Sequence, residues 1–213
     1  HDFGVDQFSV EWWMERSEEL SHGGATGFKP MDGINFNRIP TDKSLATMLV
    51  RGEIDAASIG RVFTPEKNVI DRSTTIRPSP EELTKIKPLF PDFISEGKRF
   101  FETHGYIPAN HCYAIRGDIY RQHPWLAFNL YAAFVAAKEA WYKELPSKIP
   151  TDLVFGPQYM NQTRSIFGQD PYTYGVRDNE KMINTMIDFS HEQGFIPRKP
   201  GIDELFAEQL LDL

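Results

Sequence analysis

Cysteine is nearly absent from the 213-residue chain, which contains Cys112 and no other. One cysteine excludes an internal disulfide framework and a cysteine-rich zinc module. Apolar runs of about 18 residues, the length that spans a bilayer, are also absent, so no membrane span is predicted. The six histidines include no pair at the spacing of the HExxH motif. The sequence therefore predicts no metal site, and the alternative is a site built from His104, His111 and a carboxylate.

The chain has no excess of basic charge. Lysine and arginine number 23 against 30 aspartates and glutamates, which gives a net charge of −7 and an isoelectric point near 5.4. General binding to nucleic acid or to an anionic membrane needs a basic face, so we expect neither partner. Apolar residues make up 40% of the chain, enough for the core of one or at most two domains.

The clearest local pattern predicts a strand, a helix and a second strand. Residues 34–39 alternate apolar and polar side chains, as in a strand with one buried face. Residues 40–42 break this strand and offer cap residues to a helix, and residues 54–59 form a second strand. Such a unit makes the two strands parallel neighbours. Their carboxyl ends, at residues 40–42 and 60–61, form the predicted ligand edge.

The remaining sequence changes character near residue 116. Before it, residues 9–14 and 106–115 have strand-like composition. After it, the apolar spacing predicts helices alone. These helices either form a bundle or covered a sheet that this chain does not contain. Two predicted helices precede residue 116, at residues 80–86 and 93–103. Four follow it, at residues 125–145, 158–167, 177–192 and 202–211.

An ordered set of motifs extends along almost the whole chain. The motifs are His1 to Asp6 (HDFGVD), Trp12, Gly52 to Ala56 (GEIDA), Tyr106 to Pro108 with His111, His123 to Trp125 (HPW), Phe167 to Tyr172 (FGQDPY), Tyr174 to Val176 with Asn179, and His191 to Phe195 (HEQGF). In this order, the motifs resemble those of the 4,5-dihydroxyphthalate decarboxylase family.

This resemblance implies an α/β, periplasmic-binding-protein-like fold with two lobes and a ligand cleft between them. Residues 1–105 would form an α/β lobe, residues 106–115 a crossing hinge strand, and residues 116–213 the helical C-terminal part of the other lobe. An N-terminal portion of the family's fold would be absent. The chain begins at His1 and not at a methionine or a signal peptide, so we expect a processed or truncated N-terminus.

The resemblance also implies an enzyme, a carboxy-lyase of aromatic catabolism whose small-molecule partner is an aromatic carboxylate. Loss of CO2 from a dihydroxylated aromatic dicarboxylate leaves negative charge on a ring carbon. Protonation of that carbon by a general acid, helped by electron donation from a ring hydroxyl, avoids this charge. No organic cofactor is needed for such a reaction.

His111 is the predicted proton donor, because an imidazole titrates near neutral pH and the hinge strand should cross the cleft floor. Arg61, at the end of the second predicted strand, is a candidate clamp for a carboxylate. The alternatives are a histidine satisfied by backbone groups and a solvated surface arginine.

Four further residues are weaker candidates for substrate binding. His104 and Tyr106 flank the hinge and could contact phenolic oxygens, although a histidine near a helix C-terminus and a packed tyrosine explain them equally well. Thr41 is more simply explained as part of a helix cap. Arg116 follows the crossing strand, where it could simply begin the next helix.

A solute-binding protein that delivers a small carboxylate to an importer is the alternative function, because the same fold serves many such receptors. An enzyme would be cytoplasmic and a receptor periplasmic. The sequence predicts no oligomeric state.

Overall fold

A computed structural model of the chain describes residues 1–18, 29–58 and 76–213, with the side chains of residues 150–152 left aside. Two compact units are present. The first comprises His1–Pro91 with Gln193–Phe195, and the second Asp92–Glu192 with Ile196–Leu213. The assignment of residues 1–105, 106–115 and 116–213 to a lobe, a hinge and a second lobe stays a prediction.

The first unit contains a two-stranded parallel sheet. Strand β1 (Glu11–Met14) pairs with strand β2 (Asn35–Arg38), and Trp12 lies opposite Phe36 in the register. Both strands were predicted from their composition and alternation. The pairing was not, because we expected residues 34–39 to pair with residues 54–59.

Two further details of the predicted strand–helix–strand unit were wrong. Helix α1 (Leu45–Val50) follows β2 as expected, but its N-cap is Ser44 and not a residue of the 40–42 turn. Residues 54–58 are not a strand, and residue 59 lies outside the described residues. A strand forms only where a neighbour supplies hydrogen bonds. The described partner of β2 is β1.

The core of the first unit lies where α1 meets the sheet. Ile39, Ala46 and Met48 are its buried apolar side chains. A one-turn helix, α2 (Pro80–Leu83), starts at Ser79, whose side chain accepts the N–H of Glu82 while the Glu82 carboxylate accepts the N–H of Ser79. This reciprocal capping explains why so short a helix begins where the sequence predicted it.

Helices dominate the second unit. They are α3 (Phe93–His104), α4 (Gly117–Gln122), α5 (Trp125–Asp152), α6 (Gly156–Phe167), α7 (Glu180–Glu192) and α8 (Ile202–Leu205). The second unit also has 3-10 turns at Arg177–Asn179 and Glu208–Leu210, and the first unit has one at Gln7–Ser9. Together with the small sheet they make the chain a mixed α/β protein. The two-lobed, periplasmic-binding-protein-like arrangement stays a prediction.

The core of the second unit is built on α7. Met182, Ile183 and Ile187 lie on one face of the helix at helical spacing and are buried together with Val176. Apolar side chains from elsewhere in the unit pack against them: Tyr106, Ile196, Ile202, Phe206, Leu210 and Leu211. This cluster fixes the start of the 106–116 segment.

Helix α5 is long and largely uncovered. We expected it to end at Leu145 because Pro146 follows, but the helix continues through Pro146 and Pro150 to Asp152. Among its described side chains, those of residues 125–149, Ala127 alone is buried, whereas Trp125, Phe128 and Trp141 are exposed. In the part of the chain that is described, no helix combines the length and apolar character needed to cross a membrane.

Residues 106–115 are not a strand, which corrects the prediction of a hinge strand. The segment runs irregularly from the end of α3 to the start of α4. Pro108 has no N–H for a strand hydrogen bond, and no neighbouring strand in the described residues pairs with the segment.

Candidate functional site

The carboxyl ends of the parallel strands β1 and β2 lie at one edge of the sheet. The sequence placed the ligand site at the ends of residues 34–39 and 54–59, and of that predicted edge the structure describes residues 40–42, which follow β2. Glu15 follows β1 there, and only 2% of its surface is exposed. Its Oε2 accepts the backbone N–H of Leu45 at 2.7 Å, so the carboxylate stabilises the first turn of α1. The sequence analysis missed Glu15. Its signal was its position directly after a strand at this edge.

The two candidates at the same edge have different outcomes. Thr41 lies in an exposed turn between β2 and α1, and it does not cap the helix. Arg61 lies outside the described residues, so its role as a carboxylate clamp stays a prediction. Of the predicted site residues at this edge, the structure therefore describes Thr41, together with the buried Glu15 that was not predicted.

His104 and Tyr106 are brought together in the second unit. His104 is the last residue of α3, and its ring centroid lies 4.3 Å from that of Phe100 and 5.9 Å from that of Tyr106. Gly105 ends the helix with a left-handed φ of 78°, which glycine adopts without strain. Both rings contribute to packing, and a role in substrate binding stays a prediction.

His111 lies in the exposed part of the 106–116 segment. Its imidazole makes no hydrogen bond within the described residues. Cys112 is also exposed. Further along the segment, Tyr113 stacks on Phe134 of α5, with ring centroids 4.2 Å apart and an interplanar angle of 17°.

Arg116 precedes α4 and forms an ion pair with Asp118. Its Nε and one terminal nitrogen donate to the two carboxylate oxygens at 2.6 and 2.9 Å. The guanidinium holds the pKa of the Asp118 carboxyl below its usual range. The Arg116 side chain is still largely exposed. The guanidinium keeps further N–H groups that can donate to an anionic ligand.

The 106–116 segment therefore brings three predicted residues onto one stretch of the second unit, with Tyr106 in the core, His111 exposed and Arg116 paired with Asp118. No group of three or more potential metal ligands occurs within the described ranges. The chemistry available on this stretch is that of an imidazole and a guanidinium.

A second polar network lies between α5 and the turn that follows α6. The Lys138 ammonium donates to Asp170 at 2.6 Å and to the carbonyl of Tyr172 at 2.9 Å, and it lies 4.0 Å from the ring centroid of Tyr174. Tyr142 donates its hydroxyl to Asp170 at 3.1 Å. Burial and this bond to Asp170 raise the pKa of Tyr142 to about 12. The network holds the turn that follows α6 on α5.

Comparison with known proteins gives one distant relative. Over 213 residues the chain is 24% identical to the 4,5-dihydroxyphthalate decarboxylase of Comamonas testosteroni, and the alignment covers 99% of this chain and 61% of that protein. The chain thus spans about three fifths of the length of the curated relative that it matches. No protein-family model matches the chain. The similarity suggests the decarboxylase family at most.

Proposed function

We propose that the chain is decarboxylase-like and acts on a dihydroxylated aromatic dicarboxylate such as 4,5-dihydroxyphthalate. The observation that supports this proposal is the similarity to a 4,5-dihydroxyphthalate decarboxylase along 99% of the chain, despite an identity of only 24%. The chain covers 61% of that protein. That this chain has the activity of the whole relative is therefore itself proposed. An enzyme of this kind would be cytoplasmic.

The reaction replaces a carboxylate on the ring with a proton. A hydroxyl para to the leaving group donates electron density, and a general acid protonates the ring carbon that bears the carboxylate. The bond to the carboxylate then breaks, its electron pair returns to the ring and restores aromaticity, and CO2 leaves. This sequence consumes one proton and needs no oxidant or reductant.

His111 is the proposed acid. It is exposed, its imidazole is not engaged by other described residues, and the segment on which it lies is fixed by Tyr106 and Tyr113. A proton donor has to come within hydrogen-bond distance of the ring carbon. An exposed imidazole without a hydrogen-bond partner among the described residues is available for such a contact. His104 and Tyr106 would contact the phenolic oxygens in this proposal.

The second carboxylate of the substrate needs a cation. Arg116 lies five residues from His111 and keeps exposed N–H groups beside its ion pair with Asp118. Arg61 and Thr41 are proposed as further contacts to the substrate. Electrostatic anchoring of the carboxylate that remains would orient the ring for protonation of the other position.

Replacement of His111 by alanine tests the proposal. The full 213-residue chain is incubated with 4,5-dihydroxyphthalate, and CO2 release is followed alongside binding by equilibrium dialysis. Because the acid acts in the transition state, we expect His111→Ala to lower kcat by about 100-fold or more. Substrate affinity should stay within a few-fold of the unsubstituted chain.

His123→Ala is the matched control, since His123 is another exposed histidine of the second unit, whose ring contacts Trp125. This variant should retain its turnover. Turnover that is unchanged in His111→Ala would remove His111 from the mechanism. Binding of 4,5-dihydroxyphthalate by the unsubstituted chain without CO2 release would contradict the proposed activity and indicate a solute receptor.

A further inference from the structure

Tyr113 has a fixed ring and an open ring face. One face stacks on Phe134 at a centroid distance of 4.2 Å, yet 80% of the Tyr113 surface is exposed. Its hydroxyl has no hydrogen-bond partner among the residues that the structure describes. Stacking on Phe134 therefore orients the ring without covering its second face. A ring that is already oriented loses little conformational freedom when a ligand stacks on it.

The neighbours of Tyr113 along the chain have the chemistry of an aromatic carboxylate site. His111 precedes Tyr113 by two residues, so their Cα atoms are at most about 7 Å apart. Arg116 follows Tyr113 by three residues. One short segment of the second unit thus presents an imidazole, an open aromatic face and a guanidinium.

We propose that Tyr113 is a specificity-determining residue on whose open face the aromatic ring of the substrate stacks, with Phe134 supporting it from behind. The proposal rests on the proposed function, because it assigns the ring contact in that same site. Aromatic rings prefer offset-stacked arrangements with one another, and a saturated ring that carries the same two carboxylates has no π system for this stacking.

The test compares two ligands that differ in aromaticity. Equilibrium dialysis of the full chain is carried out with phthalate and with cyclohexane-1,2-dicarboxylate, which has the same two carboxylates on a saturated ring. We expect Tyr113→Leu to raise the Kd for phthalate about three- to tenfold, the range that corresponds to loss of one aromatic pair. The Kd for the saturated ligand should stay unchanged.

Two further variants act as controls. Tyr113→Phe keeps the ring and its stacking on Phe134, so its Kd for phthalate should remain within about twofold of the original. Tyr159→Leu removes another exposed tyrosine of the second unit and should leave both Kd values unchanged. Circular dichroism of each variant establishes that the helices are retained.

A loss of affinity for both ligands in Tyr113→Leu would assign Tyr113 a structural role and overturn the proposal. So would equal binding of the two ligands by the unsubstituted chain, or no binding of phthalate at all. Turnover of 4,5-dihydroxyphthalate is measured separately. The chain could bind phthalate more tightly than the saturated ligand, in a manner that depends on Tyr113, and yet release no CO2. That result would support the ring contact and contradict the proposed decarboxylase activity.

Discussion

Ionisation of the Tyr142 phenol affects the stability of the second unit. Burial and the bond to Asp170 raise its pKa to about 12, above the usual value of 10. The folded chain therefore holds this proton more tightly than the unfolded chain does. The resulting stabilisation is complete below pH 10 and is lost as the pH rises from 10 through about 12.

We therefore expect the free energy of unfolding to fall more steeply between pH 10 and 12 in the original chain than in Tyr142→Phe, which cannot ionise. Urea unfolding followed by circular dichroism measures both profiles, and the difference between them isolates Tyr142 from the other groups that titrate in this range. Parallel profiles would show that the tyrosine titrates as it does in water.

Single residues of the candidate site were predictable to different degrees. His111 was chosen as a candidate because an imidazole titrates near neutral pH, and Arg116 because it follows the predicted crossing strand; both roles stay predictions. Glu15 was missed because a carboxylate that follows a strand has no local signature of burial. Its burial depends on Leu45, which lies 30 positions away in the sequence. Cys112 is exposed on a segment that pairs with no strand among the residues that the structure describes.

At the level of elements, the N-terminus of α1 depends on Ser44. This side chain is fully buried, accepts the N–H of Thr47 at 3.2 Å and donates to the carbonyl of Ile76 at 2.8 Å. Ser44→Ala removes both bonds and leaves a part-buried carbonyl without this donor. We expect the free energy of unfolding to fall by about 1–2 kcal/mol.

Chemical denaturation of the Ser44→Ala variant checks this loss. Ser79→Ala is the control, because Ser79 caps α2 in the same way but at an exposed position where water replaces the lost bond. A smaller effect is expected there. If the free energy of unfolding falls equally in the two variants, burial does not increase the stabilisation that the Ser44 cap provides.

Helices were predicted better than strands because their evidence is local. Caps and apolar spacing indicated α3, α6 and α7 to within a few residues. The strand-like run at residues 106–115 had suitable composition but no partner strand in the described residues. Composition does not reveal whether a partner exists, and β pairing joins residues that are distant in sequence.

For the whole molecule, the sequence indicated the mixed α/β class and the excess of helices over strands after residue 116. It could not indicate that residues 34–39 pair with β1, because both alternatives satisfy the same rules for parallel strands. The motifs that resemble the decarboxylase family extend along nearly the whole chain, in keeping with an alignment that covers 99% of it.

The uncovered surface of α5 has a practical consequence for spectroscopy. Trp125 and Trp141 are exposed on this helix, Trp12 is exposed on β1, and Trp13 is half-buried. Indole emission moves to longer wavelength in water, so the folded chain should already fluoresce much as it does in concentrated urea. A strongly blue-shifted native spectrum would contradict these exposures. Denaturation of this protein is therefore better followed through its helical ellipticity than through its tryptophans.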